Sequence, residues 1–135
     1  MGVLIDASVL IAVERRGLPS EETMALMRSE RAALASITAS ELLIGVHRAD
    51  SPARRLRREA FVETVLTALP VLPFDLPVAR VYAQLWIQLA GAGRPIGAHD
   101  LLIAATAVAH GYTVLTANLR EFQRVPGLEV REPRW

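Results

Sequence analysis

The chain has 135 residues, 15 basic and 14 acidic side chains, three histidines and no cysteine, for a net charge of +1. Every basic residue is arginine, and only four acids are aspartate: Asp6, Asp50, Asp75 and Asp100. The absence of lysine excludes a Walker A phosphate loop and Schiff-base chemistry. The absence of cysteine excludes thiolate catalysis, disulfides and Cys-based zinc sites. Carboxylate, hydroxyl, imidazole and guanidinium chemistry remain.

The length predicts one domain over residues 1–135 with a real core. Hydrophobic residues make up 52% of the chain, which argues against disorder. The longest apolar run, Leu101 to Ala109, is too short to span a bilayer. The start, Val3-Leu4-Ile5-Asp6, has no basic leader, and with the lack of cysteine this predicts a cytoplasmic protein without a membrane segment. Charge is locally polarised: residues 47–58 hold five arginines and one aspartate, so they read either as a solvated helix face or as a patch for phosphates or an acidic partner segment.

Residues 2–5 read as a buried parallel strand. Ser8 is placed to cap a helix from Val9 to about Arg16, stopped by Gly17. Ser20 with Glu21 and Glu22 starts a second helix, to about Arg28 or Ser29. Residues 32–36 form a weak strand. Thr38 and Glu41 have capping-box spacing for a helix to about His47. Pro52 opens a helix to about Leu69, with Leu56, Ala60, Val65 and Leu69 on one apolar stripe. Residues 71–74 form a strand near an edge, since Pro73 cannot donate to a ladder. Pro77 begins a helix to Ala90, and Asp100 begins a strongly apolar helix to Ala109, stopped by Gly111. Residues 112–115 form a fourth strand, 119–123 a helical turn and 128–131 a last strand.

Strands alternating with helices predict an α/β fold: three layers, with a mostly parallel central sheet of about five strands flanked by helices. In such sheets ligands bind beyond the carboxyl ends of the strands. Asp6, the segment 36–41, and Thr116 with Asn118 all follow strand ends and so reach one rim.

Asp6, Glu41 and Asp100 each have an ordinary explanation: a strand end, a capping box, and a first-turn charge that stabilises a helix dipole by about 0.3–1 kcal/mol. Together they indicate more. Carboxylates gathered near apolar interior are costly and repel one another, and a divalent cation offsets both penalties. Carboxylate oxygens suit Mg²⁺ or Mn²⁺, which keep several waters. Such an ion, with a further carboxylate to align a water, supports phosphodiester hydrolysis.

Residues 3–8 (VLIDAS), 37–45 (ITASELLIG), 98–107 (AHDLLIAATA) and 113–128 (TVLTANLREFQRVPGL) occur in an order and spacing that resembles the PIN-domain ribonucleases, and more narrowly the VapC toxins of bacterial toxin–antitoxin pairs. The resemblance implies a PIN-like fold and an endoribonuclease dependent on Mg²⁺ or Mn²⁺. Asp6 and Asp100 match the family's metal-binding acids, Glu41 its helix-borne acid, and Thr116 its small hydroxyl residue. Many relatives carry a fourth acid where this chain has Asn118; an acid follows three residues later, at Glu121. Asn118 is able to ligate through its carbonyl or hold a water, and Glu121 to reach the site or its surroundings. Equally, Asn118 is placed to cap the short helix and Glu121 to be a surface acid. The resemblance also implies a homodimer and a VapB-like antitoxin that wraps an apolar groove and sends an arginine among the acids. That groove is expected on the helices at 9–16, 21–29 and 53–69, with Leu10, Val13, Met24, Met27 and Leu56.

Among other polar residues, Ser8 either bonds to the site or caps its helix, Arg94 is a candidate phosphate contact, and His99 adjoins Asp100. His47 and His110 complement helix ends. Tyr82 and Trp86 are packing residues on a helix face that also suits a dimer contact. An acyl-phosphate-forming phosphatase is excluded, because Ser8 stands where a second aspartate belongs and lysine is absent. A dinucleotide-binding domain fails for want of a glycine-rich turn. A catalytically inert PIN-like module that only engages RNA or a protein partner is the remaining alternative.

Overall fold

The computed structural model describes residues 2–16, 21–29 and 31–134, without the side chains of residues 22–24 and 26. The expected capping serine, Ser20, the stop Gly17 and the groove side chain Met24 lie outside that description. The elements run β1 (Val3–Ile5), α1 (Ala7–Arg16), α2 (Glu21–Arg28), β2 (Ala32–Ala35), α3 (Ser36–His47) and α4 (Pro52–Ala68). They continue with β3 (Val71–Leu72), α5 (Leu76–Gly91), α6 (Ala98–His110), β4 (Thr113–Leu115), α7 (Leu119–Phe122) and β5 (Val130–Arg131).

The five strands form one sheet in the order β3-β2-β1-β4-β5, and every pairing is parallel. β1 is central: Val3 stands opposite Ala32 on one side and Thr113 on the other. Its residues are all buried, as a continuous apolar run in a covered parallel sheet demands. Alternate β1 residues feed opposite layers. Leu4 joins Val78, Leu85, Leu101 and Ile103 under α5 and α6. Ile5 joins Leu10, Leu42, Val62 and Val65 under α1, α3 and α4. The sheet is thus sandwiched between helices, as its sequence pattern predicts.

The differences are local. α1 begins at Ala7, directly off the strand, so Ser8 is inside the helix and is not its cap. α3 begins at Ser36 with no side-chain cap bond, so Thr38 and Glu41 form no capping box. The inward stripe of α4 is Val62, Val65 and Leu69, while Leu56 is 71% exposed and Ala60 is also exposed. Two caps act where the sequence expectation had only a proline start: Ser51 accepts from Arg54 N at 3.2 Å, and Asp75 accepts from Val78 N at 3.2 Å.

Candidate active site

Asp6 is the residue at which the central strand turns into α1. Its backbone N–H donates to Leu115 O at 2.9 Å, which ties the turn to β4. Its carboxylate is buried and accepts two hydroxyl bonds on one oxygen, Oδ2: from Ser8 Oγ at 2.7 Å and from Thr116 Oγ1 at 2.8 Å. The hydroxyls are held in turn. Ala117 N donates to Ser8 Oγ at 3.1 Å, and Asn118 N donates to Thr116 Oγ1 at 2.9 Å. This small network orients Asp6 and leaves Oδ1 outside the hydroxyl pair. Of the two uses open to Ser8, the structure takes the bond to Asp6 rather than the cap.

Asp100 enters from the first turn of α6, and Glu41 from α3. Burial pushes the Asp100 carboxyl from its ordinary 3.8 up to about 6, the charges of Asp6 and Glu121 push the same way, and His99 opposes them. Burial likewise raises Glu41, followed by the charge of Asp6; His99 opposes and Asp100 adds. Asp6, Glu41, Asp100 and Glu121 therefore share one electrostatic neighbourhood, with exposed His99 at its edge. Oε1 of Glu41 is buried without a hydrogen-bond partner. Glu41 also lines a cleft of about 80 Å³ between α1, α3 and α4, with Ile11, Glu14, Gly45 and Arg58.

Glu121 is half-buried and accepts from Gly97 N at 3.3 Å, which fastens α7 to the loop before α6. Asn118 precedes α7 without a side-chain cap bond and is exposed. Asn118 thus stands at the cap position without a capping bond, and Glu121 is a partly exposed acid tied to Gly97 N. Arg94 is exposed on the loop between α5 and α6 and makes no hydrogen bond or ion pair to these carboxylates.

The arginine block divides. Arg58 lies between helices, its Nε 3.1 Å from Glu14 Oε1 and its Nη1 donating to Gly45 O at 2.8 Å. Arg54 pairs with Asp50 at 3.1 Å on the surface, and Arg55 donates to His47 O at 3.1 Å. Arg48 and Arg57 are exposed. The Glu14–Arg58 pair had no signal in the sequence, since 44 residues separate its members.

The donor set suits a hard divalent cation. It offers carboxylate oxygens, two of them on groups that burial disfavours as anions, and one oxygen without a partner. Among the described residues no three acid or imidazole side chains close into a cage. An open site of one or two carboxylates fits an ion that keeps its waters.

The PIN-domain family model matches residues 3–128. Over 130 residues the chain is 39% identical to Ribonuclease VapC1 of Rickettsia felis, covering 96% of this chain and 95% of that one. It is 37% identical over 106 residues to the tRNA(fMet)-specific endonuclease VapC of Salmonella typhimurium, covering 78% of each. Among solved structures, DNA-bound VapBC from Salmonella typhimurium superposes with a TM-score of 0.86 at 31% identity over 98% of both chains. The Asp6 network at the centre of the sheet therefore sits in a known framework: the chain is a PIN-domain protein of the VapC family.

Proposed function

We propose that this chain is a divalent-cation-dependent endoribonuclease and the toxin of a toxin–antitoxin pair, folded as one domain over residues 1–135. What supports the reading is that Asp6, Glu41 and Asp100, carried by three separate elements, feel one another's charge, with Asp6 fixed by two hydroxyls. Asp6 and Asp100 would hold Mg²⁺ or Mn²⁺. Once bound, the cation neutralises the acids and the phosphate and eases ionisation of water. Glu41 orients the attacking water and accepts its proton; the water oxygen bonds to phosphorus as the P–O bond to one sugar breaks, and the departing sugar oxygen takes a proton from solvent. Ser8 and Thr116 keep Asp6 in place, and Glu121 holds the loop before α6 while adding negative charge beside Asp100. Asn118 presents a neutral amide where many relatives have an acid.

RNA as substrate follows from the ribonuclease names of the relatives, and a VapB-like antitoxin from the VapBC complexes. A homodimer and a cytoplasmic location complete the proposal; among the described residues no helix is long and apolar enough to cross a membrane. Purified, partner-free protein is expected to cut structured tRNA or rRNA with Mg²⁺ or Mn²⁺, and Asp6→Ala is expected to abolish cutting while keeping the fold. Wild-type protein that cuts none of these RNAs contradicts the reading. If it also binds no Mn²⁺ in calorimetry, the inert-module alternative gains.

A further inference from the structure

A threonine inside an α-helix commonly returns its hydroxyl to the carbonyl four residues back. Thr64, Thr67 and Thr106 all do so, each at 2.8 Å. Thr38 has no such option: it is the third residue of α3, and the residue four back, Leu34, belongs to strand β2. Its side chain is 0% exposed and its hydroxyl has no partner. An unpaired buried hydroxyl is destabilising, and valine would fill the same space without it. The other buried side-chain oxygen without a partner among the described residues is Oε1 of Glu41. The two residues stand at i and i+3 on α3, so they are neighbours on its surface. Two unpaired oxygens so placed, one on a hydroxyl that both donates and accepts, are what a buried bridging water needs.

We propose that Thr38 is a positioning residue for Glu41: its hydroxyl and Glu41 Oε1 hold one buried water, which fixes the carboxylate facing Asp6 and Asp100. This rests on the ribonuclease reading for its effect on activity, but the water itself does not.

The test uses the full chain as wild type, Thr38→Val, Thr38→Ser, Glu41→Gln and the Thr38→Val/Glu41→Gln double variant. Thr38→Val is expected to bind Mn²⁺ about tenfold more weakly in calorimetry. It should lower kcat rather than raise KM, with the fold retained. Thr38→Ser should stay close to wild type, and Thr38→Val should add nothing in the Glu41→Gln background. Wild-type affinity and kcat in Thr38→Val overturn the proposal, as do equal losses in the valine and serine variants or fully additive losses in the double variant. Wild-type protein that neither binds Mn²⁺ nor cuts RNA defeats the ribonuclease reading instead. In that event a high-resolution crystal structure decides Thr38: a water bonded to both oxygens supports the proposal, and its absence from clear density overturns it.

Discussion

Asp100 shows how a site can weaken the fold that carries it. Its carboxyl is raised from 3.8 to about 6, so between those values the native state binds more protons than the unfolded chain. Stability of the metal-free protein should therefore fall as pH rises from about 4 to about 6, then level off. Asp100→Asn should flatten that slope, raise the metal-free melting temperature at pH 7 and abolish RNA cleavage; melting curves across pH check this. Cation affinity runs the other way and should rise through about pH 6 as Asp100 ionises. Thr116 is fully buried and bonded to both Asp6 and Asn118 N. Thr116→Val should cost about 1–3 kcal/mol in denaturant unfolding and lower the cleavage rate. Asp6 and Asp100 could be picked out as candidates in the sequence because one follows a strand and the other opens a helix, whereas Glu41 was picked out by a capping-box spacing that α3 does not use. The use of Ser8 was not, because its choice between helix cap and Asp6 depends on Thr116, 108 residues away.

At the scale of elements, type and order were read well and ends less so. α3 starts three residues earlier than the capping-box spacing indicates, with Ala35 and not Thr38 at its cap, since β2 runs straight into it. That shift places Thr38 and Glu41 inside the helix and leaves an oxygen of each without a partner. On α4 the expected Val65 and Leu69 are buried but Leu56 and Ala60 are exposed, because local periodicity does not tell which turns of a helix find a surface to pack on. Of the expected groove side chains that are described, Leu10 and Val13 are core, Met27 is partly buried and Leu56 is widely exposed. Leu56→Ser should change stability by no more than about 0.5 kcal/mol, whereas Val62→Ala should cost about 2 kcal/mol in chemical denaturation. The α6 terminus obeyed its signal: Gly111 adopts φ 69°, and Gly111→Ala should cost about 1–2 kcal/mol by the same measurement.

Over the whole molecule, a parallel sheet with β1 at its centre brings Asp6, the start of α3 and the turn after β4 to one rim. That convergence was legible because apolar strands alternating with helices permit few arrangements. The Glu14–Arg58 tie was not, since it arises from packing between segments 44 residues apart. Near-neutral net charge conceals this polarity: an arginine-rich stretch offsets an acidic pocket that a cation would neutralise. The central claim, that the pocket cuts RNA, is tested most directly by sequencing RNA ends after a short pulse of expression, wild type beside Asp6→Ala. New ends at discrete sites in a structured RNA, present with wild type and absent with Asp6→Ala, are the predicted result. Identical end profiles from the two proteins, at equal expression and with wild type folded, would contradict it.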